Sequence, residues 1–396
     1  MATPADMPGE DGTSSVSQWL KEDQIQVQEL VRRVARERVA KRAQEIDRKG
    51  EYPQDMFDML KELGLFTLPF PAEYGGTGSL LSGCVAVEEL GRVCYNTAYL
   101  LVLQWVPMGA ILASGTREQK NKYLPGLSDG SLRAAFSLTE PQSGSDVAGM
   151  KTRAKRDGKG YRLTGSKIWC TNSGNADFVL VAARTGDENS RGQIAMFIVE
   201  KGTPGFALGP KEDKMGARGV GSHALFFDNA YVPEENRLGD EARGFKVAMS
   251  ALNDSRPIMA ARGVGLAQGA MDHAVEFISN RHAFGQTISD FQGVRWIVAD
   301  MAIQIAAARN LTYEAASAVD RGVRGTDLAP LAATAKCFAT DTAMKVATDA
   351  VQLFGAAGIS NEYPINRYFR DAKVLQIIEG TNQIQRNIVA KSIFHN

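Results

Sequence analysis

Apolar residues recur at helical spacing through the amino-terminal third of the chain, from about residue 17 to residue 130. Val27, Val31 and Val34 mark one such stripe, and residues three or four positions apart share one face of a helix. A Gly- and Pro-rich loop then precedes a further helix that begins near Ser79. The pattern predicts that this third is helical.

The pattern changes between about residues 135 and 239. Short runs rich in β-branched and aromatic residues alternate there with Gly, Asn and Asp, and Phe178–Arg184 and Ile194–Glu200 are the clearest. Such runs predict strands. Because no long helical pattern separates them, a parallel βαβ sheet is disfavoured and an antiparallel barrel or sandwich is expected.

Helical periodicity returns after Gly244 in long, Ala-rich segments, which favour a helical bundle. These segments are Ile258–Arg281, Gln292–Arg321 and Leu328–Leu353. The order predicts an α+β protein without internal repeats. Its expected parts are a disordered lead-in at 1–17, an N-terminal helical domain at 18–134, a central antiparallel β-barrel-like domain at 135–242 and a C-terminal four-helix-bundle domain at 243–396.

Composition and charge narrow the classes of partner. The 396 residues are 44% hydrophobic and 23% charged, and 45 basic residues balance 45 acidic ones. A chain without net charge has no global field to attract a phosphate backbone or an anionic membrane, so no nucleic acid or membrane partner is expected. The apolar stretches also fall short of the roughly 20 residues that span a bilayer.

The four cysteines and the first residues indicate the compartment. The cysteines lie far apart without CxxC spacing, which favours reduced thiols over disulfides or a zinc site, so no metal is expected. Residues 1–17 contain neither an apolar core nor an Arg-rich, acid-poor stretch. We therefore expect a cytoplasmic protein.

Two segments carry candidate cofactor chemistry although the chain lacks a GxGxxG or Walker sequence. The loop Leu138–Asp146 is rich in turn formers and small hydroxyls. On the strand at Lys167–Asn172, Trp169 and Thr171 are two positions apart, which predicts that they share one face. An indole plane beside a hydroxyl suits a planar heterocycle, and an ordinary aromatic core position is the alternative.

Glu379 is the candidate base. It follows two isoleucines and precedes Gly380 and Thr381. A carboxylate held against apolar surface has a raised pKa and can accept a proton in a water-poor site. The alternative is an exposed loop acid, which is the commoner situation for glutamate.

Taken together, five motifs resemble those of the acyl-CoA dehydrogenase family, over nearly the whole chain after about residue 20. They are TEPxxGSD at Thr139–Asp146, WxTN at Trp169–Asn172, RxxFG at Arg281–Gly285, QxxGxxG at Gln352–Gly358 and EGTxQIQR at Glu379–Arg386. The resemblance implies FAD and an acyl-CoA thioester held face to face. It also implies α,β-dehydrogenation, with Glu379 taking the α-proton, flavin N5 taking the β-hydride and an electron-transfer flavoprotein accepting the electrons.

The resemblance also assigns binding residues. Those expected around the flavin ring are Phe136, Leu138, Thr139, Ser145, Trp169 and Thr171, while Thr381, Asn382 and Gln383 are expected near its adenosine and pyrophosphate end. Those expected to reach the FAD of a neighbouring subunit are Arg281, Phe284, Gln292, Gln352, Gly355 and Ala356. The resemblance therefore implies a homo-oligomer, and a homotetramer is expected.

Substrate contacts are expected from Ser145, Asn253, Arg256 and Gly380. Asn253 stands where the family usually has Asp, and an uncharged amide both donates and accepts hydrogen bonds. Ala356 likewise replaces the second glycine of a Gly-Gly pair. The bulky helical residues Tyr99, Leu103, Gln104 and Trp105 favour a short, branched or cyclic acyl group, although ordinary helix packing accounts for them equally well.

Other activities of the same fold stay open at this point. A flavin oxidase would return the electrons to dioxygen, but the familiar acyl-CoA oxidases are longer chains. A monooxygenase or nitroalkane oxidase would not be expected to keep Glu379 in its EGT context. An inactive acyl-CoA-binding protein would be expected to lose the glutamate or the residues that face the flavin.

Overall fold

The computed structural model describes residues 20–186 and 193–394. The expected lead-in at 1–17 lies outside the described residues. Helices form the first part of the chain, as the periodicity predicts. They are α1 (Glu22–Val34), α2 (Ala40–Lys49), α3 (Gln54–Glu62), α4 (Leu80–Gly91), α5 (Tyr95–Ser114) and α6 (Arg117–Asp129).

The sequence signal at Ser79 acts as a helix cap. The Ser79 hydroxyl accepts a hydrogen bond from the backbone N–H of Ser82 at 3.1 Å, so it satisfies one of the free donors at the start of α4. Asp320 binds the same end from the carboxy-terminal part of the chain, since its carboxylate accepts from Leu80 N at 2.6 Å. The first and last parts of the chain are joined at this point.

Helix α5 corrects one sequence expectation. It is an uninterrupted apolar helix of 20 residues with a mean hydropathy of 1.5, long enough by length and composition to cross a membrane. Most of it is buried inside the protein, where it packs against α4 and the long carboxy-terminal helix at Gly244–Asn280. Its apolar character is therefore explained by its position at the centre of the helical core.

The middle of the chain forms a sheet. Its strands are β1 (Ala134–Ser137), β2 (Arg153–Asp157), β3 (Gly160–Thr171), β4 (Phe178–Arg184), β5 (Ile194–Glu200), β6 (Phe206–Lys211), β7 (Ser222–Pro233) and β8 (Arg237–Leu238). The order of neighbours is β6-β7-β3-β2-β4-β5-β8, and β1 pairs with β4. Most neighbouring strands are antiparallel, as expected, but β1 pairs with β4 in parallel and β2 touches β4 in parallel at one position.

The carboxy-terminal part is a helical bundle. Its helices are α7 (Gly244–Asn280), α8 (Gln292–Asp320), α9 (Gly325–Phe354), α10 (Ile365–Ile377) and α11 (Asn382–Phe394), with a small hairpin of β9 (His282–Ala283) and β10 (Gln286–Thr287) between the first two. Helix α7 begins 14 residues before the predicted start at Ile258, because Pro257 does not end it. Packing of α7 against α4, α5 and α9 compensates for the hydrogen bond that proline cannot donate.

Candidate active site

Glu379 lies in a tight turn between α10 and α11. Its backbone is in the left-handed region with φ +55°, an uncommon conformation for a residue with a side chain, and Gly380 follows with φ +87°. A Cβ atom at Gly380 would lie 2.7 Å from Gln385 Nε2. The turn therefore requires glycine at this position for both its dihedral angles and its space.

Two buried side chains hold this turn by its carbonyl groups. Lys336 on α9 is fully buried, and its Nζ donates to Gly380 O at 3.0 Å and to Asn382 Oδ1 at 2.9 Å. Gln385 Nε2 donates to Gly380 O at 2.9 Å and to Glu379 O at 3.3 Å. These bonds fix the direction in which the Glu379 side chain leaves the backbone.

The carboxylate of Glu379 is oriented by Ser255 on α7, whose Oγ donates to Glu379 Oε2 at 2.6 Å. Burial raises the pKa of Glu379 above its ordinary value, while Ser255 and the cations Arg262, Lys336 and Arg256 oppose that rise. The opposing influences leave a carboxyl group with a raised pKa beside several cations. This is the environment expected of a general base in a water-poor site.

Arg256 lies against the same turn. It is buried, and its pKa is lowered to about 10 by burial while Glu379 raises it. Its Nη1 donates to Asn253 Oδ1, and a Cβ at Gly380 would lie 3.7 Å from its Nη2. The structure thus brings together three of the expected substrate residues, Asn253, Arg256 and Gly380, with Asn253 orienting the arginine.

A cavity of about 340 Å³ opens beside Ser255, between α5 and α7. Trp105, Met108, Leu112 and Ile258 form much of its apolar wall, and Asp254 and Arg324 contribute charged groups. Burial raises the pKa of Asp254 to about 6. Because Ser255 also binds Glu379, the cavity and the candidate base share one side chain.

Only one of the four bulky helical residues lines this cavity. Trp105 does so while its Nε1 donates to Phe66 O at 2.8 Å. Gln104 instead donates to Leu127 O and Leu132 O, at 3.2 and 2.7 Å, and is a structural residue. Leu103 packs against the hydrophobic core.

A second group of expected residues lies where β1 meets β3. Ile168 N donates to Thr139 O at 2.9 Å, and Lys167 Nζ donates to Leu138 O at 3.0 Å. Lys167 also forms a fully buried ion pair with Glu140, at 2.7 Å. The ion pair with Lys167 therefore engages the Glu140 carboxylate in holding the loop, and we assign it no role in binding a ligand.

Trp169 departs from the regular strand that the sequence predicts. The pairing of β3 with β7 shifts between Lys167 and Cys170, and Trp169 has φ +58°. Alternation of side chains does not hold across such a bulge, so the two-residue spacing of Trp169 and Thr171 does not by itself place them on one face. The indole is 52% exposed, which leaves an aromatic surface uncovered by this chain.

The Thr171 hydroxyl forms a hydrogen bond with a side chain on the neighbouring strand β7. Its Oγ1 lies 3.1 Å from Ser222 Oγ on β7, and Lys214 Nζ donates to that serine at 3.0 Å. Phe136 lies alongside, because its carbonyl accepts from Cys170 Sγ at 3.8 Å. Ser145 is exposed on the loop between β1 and β2.

Tyr99 on α5 connects this β group with the Glu379 turn. Burial raises its pKa, Arg262 lowers it, Glu379 raises it further and Thr171 lowers it. A single buried hydroxyl therefore interacts with both groups. The helices and the sheet bring the two sets of candidate residues into one site.

The start of α11 carries the next expected residues. Thr381 accepts from Ile384 N at 3.3 Å, as a helix cap does. Gln383 is exposed, whereas Asn382 is buried and donates to Thr340 Oγ1 and Asp341 Oδ1, at 2.9 and 2.7 Å. Asn382 thus holds α11 on α9, and its expected position near the adenosine and pyrophosphate end of a flavin stays a prediction.

The remaining expected residues lie apart from the Glu379 turn. They are exposed, in the β9–β10 hairpin region and at the α9 carboxyl end: Arg281, Phe284, Gln292, Gln352, Gly355 and Ala356. Phe284 is 96% exposed with φ +53°. Within the described chain they are not brought to the candidate base.

Sequence reasoning missed four residues that build the site: Ser255, Arg262, Lys336 and Lys214. Ser255 lies between the expected substrate residues Asn253 and Arg256, whereas Arg262, Lys336 and Lys214 have no predicted site residue beside them. A lysine and an arginine within otherwise apolar helical stretches were the available signal for Lys336 and Arg262, because buried cations require a specific reason. No group of three or more potential metal ligands occurs among the described residues.

Comparison with known families gives three matches in chain order. The amino-terminal, middle and carboxy-terminal domains of acyl-CoA dehydrogenase match residues 21–131, 135–230 and 242–394. The chain is 43% identical over 376 residues to cyclohex-1-ene-1-carbonyl-CoA dehydrogenase of Geobacter metallireducens, covering 94% of this chain and 98% of that protein.

Solved structures give the same result. Butyryl-CoA dehydrogenase of Megasphaera elsdenii superimposes with a TM-score of 0.91 at 40% identity, covering 94% of this chain and 98% of that one. A chain from the structure of the electron transferring flavoprotein of Acidaminococcus fermentans has a TM-score of 0.91 at 41% identity, covering 95% and 99%. The fold and the order of the domains are common to all of them.

Proposed function

Because this chain belongs to the acyl-CoA dehydrogenase family, whose members are FAD-dependent oxidoreductases, we propose that it converts an acyl-CoA to the trans-2-enoyl-CoA with Glu379 as the base. The observation that carries the proposal is the turn at Glu379. A carboxylate of raised pKa is held there at φ +55° beside a cavity. Neither a scaffold nor a simple binding protein requires that strained arrangement.

The residues of this chain account for the proton transfer. Ser255 holds one carboxylate oxygen and leaves the other free to accept the α-proton of the thioester. Removal of that proton develops negative charge on the thioester oxygen, so preorganised donors are required. The backbone N–H of Glu379 serves as one donor in our proposal, and Arg256 adds positive charge beside it.

The described residues fit a flavin. Trp169 exposes an aromatic surface, Thr171 Oγ1 lies 3.1 Å from Ser222 Oγ, and the buried Ser137 Oγ has no hydrogen-bond partner among the described residues. Bound FAD would accept the β-hydrogen as hydride. In the proposal it is held by Phe136, Leu138, Thr139, Ser145, Trp169, Thr171, Thr381 and Gln383 in this chain.

A second copy of the chain completes the cofactor site in the proposal. The exposed side chains expected to bind a neighbour's FAD lie on a bundle surface that also exposes Trp296, Ile303 and Ile359, at 62%, 66% and 79%. Exposed apolar side chains in such number favour an interface between protein chains. We propose a homotetramer in the cytoplasm that passes electrons to an electron-transfer flavoprotein, an acceptor suggested by the similarity to a chain solved with one.

The cavity favours a compact acyl group. Trp105 closes part of a space of only about 340 Å³. The relatives named for butyryl-CoA and cyclohex-1-ene-1-carbonyl-CoA act on small acyl groups, which supports the same size range. We propose a short, branched or cyclic acyl-CoA as the substrate.

Anaerobic titration with a panel of acyl-CoAs tests this function. We expect the purified protein to be yellow, to release FAD and not FMN on denaturation, and to lose its flavin absorbance on addition of substrate. Rapid return of the absorbance in dioxygen would instead identify an oxidase. Binding of acyl-CoA without any bleaching would identify an inactive binding protein and refute the proposal.

A further inference from the structure

Arg262 on α7 is a buried cation with free hydrogen-bonding capacity. Its side chain is fully buried, and Nη2 donates to Met259 Sδ at 3.0 Å. Among the described residues, its Nε and Nη1 have no hydrogen-bond partner. An unpaired buried charge is costly, so such a group marks a place where a further polar group binds.

Two aromatic residues stabilise the charge of Arg262 through their ring faces, and the Tyr99 hydroxyl also interacts with the guanidinium. The guanidinium carbon lies 4.3 Å from the ring centre of Tyr95 and 3.8 Å from that of Tyr99. Cation–π contacts of this kind engage the face of the guanidinium and leave its edge available. The Tyr95 hydroxyl is also buried and has no partner within the described chain.

Arg262 lies on the same face of α7 as two residues that line the cavity. Ser255, Ile258 and Arg262 are three and four positions apart on α7, so they share one helix face. Ser255 and Ile258 line the cavity, and Ser255 also binds Glu379. Arg262 therefore lies one helical turn beyond Ile258, in the direction away from Asp254.

The charges along this face have a definite order. Asp254, Asp320 and Arg324 line the cavity, and Arg324 lies 3.9 Å from Asp254. Arg262 does not line the cavity but follows Ile258 by one turn of α7 and lowers the pKa of Glu379, although no ion pair within 4 Å joins these two among the described residues. A negative group on a bound acyl chain is thus repelled near Asp254 and attracted towards Arg262.

We propose that Arg262, with the Tyr95 hydroxyl, recognises a carboxylate at the far end of the acyl chain, so that the substrate is the CoA monothioester of a short dicarboxylic acid. This inference rests on the proposed function and specifies its substrate. Arginine suits the role because it stays charged when buried and forms charge-assisted hydrogen bonds with carboxylates. A neutral acyl chain leaves the free donors of Arg262 unpaired.

The test compares acyl-CoAs of equal chain length with and without the terminal charge. Glutaryl-CoA, its neutral terminal amide and pentanoyl-CoA are assayed on the wild type, Arg262→Met and Arg262→Lys. We expect the wild type to favour glutaryl-CoA over pentanoyl-CoA in kcat/KM by on the order of 10²-fold. Arg262→Met should lose or reverse this preference, and Arg262→Lys should retain part of it.

Arg309→Met is the matched control, because Arg309 is a partly buried arginine paired with Glu88 at 2.7 Å and lies outside the cavity wall. It should leave the substrate ratio unchanged. FAD content and thermal unfolding check that each variant is folded, and if Arg262→Met is not, the wild-type panel and Arg262→Lys still decide.

Several results would overturn the inference. A wild type that favours pentanoyl-CoA, or that uses the amide as well as glutaryl-CoA, shows that no carboxylate is recognised. An equal loss for all three substrates in Arg262→Met shows a structural role for the arginine. Flavin bleaching by pentanoyl-CoA alone retains the proposed function and rejects only this inference, whereas no bleaching by any acyl-CoA rejects the proposed function itself.

Discussion

The turn around Glu379 and the surface around Arg281 differ in how far one chain completes them. Within the described chain, Ser255 binds the Glu379 carboxylate, and Lys336 and Gln385 hold its turn. Around Arg281 the side chains point outward, and Phe284 is 96% exposed. The proton-transfer half of the site is thus preorganised within one protomer, while the distal cofactor half depends on a neighbour in our proposal.

The difference follows from what each half has to do. A base must be held within a fraction of an ångström of the proton it removes, which requires fixed buried partners. A pyrophosphate is a large anion that surface arginines bind well, so its site tolerates assembly from two chains. Four substitutions test which parts of the site depend on contacts within one chain and which depend on a neighbouring chain.

Replacing the base should have the largest effect. Glu379→Gln keeps the shape and the bond with Ser255 but cannot accept the α-proton, so flavin reduction should fall by more than the roughly 10²- to 10⁴-fold typical of losing a general base. Glu140 offers no rescue, because it is buried in its ion pair with Lys167. Stopped-flow reduction at saturating substrate measures the loss, and Glu362→Gln on an exposed loop is the control. Near wild-type bleaching would show that Glu379 is not the base.

Loosening the turn should have the next largest effect. Lys336→Met removes a charged donor from Gly380 O and from Asn382 Oδ1, which keep only Gln385 Nε2 and Thr340 Oγ1 as their partners. We expect kcat to fall about 10- to 10²-fold, corresponding to about 1–3 kcal/mol for the loss of hydrogen bonds from a charged donor, with little change in KM. Lys345→Met on the same helix, where the lysine pairs with Asp349 at the surface, is the control. An unchanged kcat would show that the turn is held without Lys336.

A substitution on the exposed surface around Arg281 should weaken the binding of FAD. Arg281→Ala should weaken FAD binding roughly tenfold, the size expected for losing one charge-assisted hydrogen bond, while the remaining loaded enzyme keeps its turnover rate. Equilibrium dialysis of FAD and sedimentation at several protein concentrations measure both dependences. Arg243→Ala, an arginine 71% exposed near the middle domain, is the control. A monomer that holds FAD and turns over would contradict the shared site.

The smallest effect concerns stability and pH at the cavity. The pKa of Asp254 is raised to about 6, so between its ordinary value of 3.8 and 6 the unfolded chain loses a proton that the folded protein keeps. Stability contributed by Asp254 therefore falls as pH rises through this window. Asp254→Asn should be more stable than the wild type above pH 6, by about 1–2 kcal/mol after allowing for partial exposure, and equal to it near pH 4. Denaturant unfolding at each pH would show a constant difference if Asp254 were not involved.

The residue pattern alone was sufficient for the type of each major element. The periods of 3.6 and 2 distinguish helix from strand locally, so Phe178–Arg184 and Ile194–Glu200 agree with the structure at both ends. The start of α7 was predicted too late, because Pro257 ends a helix locally but not in a packed bundle. Motif spacing identified the family and selected Glu379 as the candidate base, since close contacts within a turn leave a fixed signature of residues.

Only the tertiary structure decided which long-range neighbours build the site. Lys336 lies 43 residues from Glu379 and Ser255 lies 124 residues from it, so no local pattern predicts their contacts with the turn. The bulge at Trp169, the burial of α5 and the inward position of Asn382 depend in the same way on what packs against them. Sequence determines local backbone preference, whereas burial and charge pairing arise when distant segments meet, because the energy of a polar group depends on everything that surrounds it.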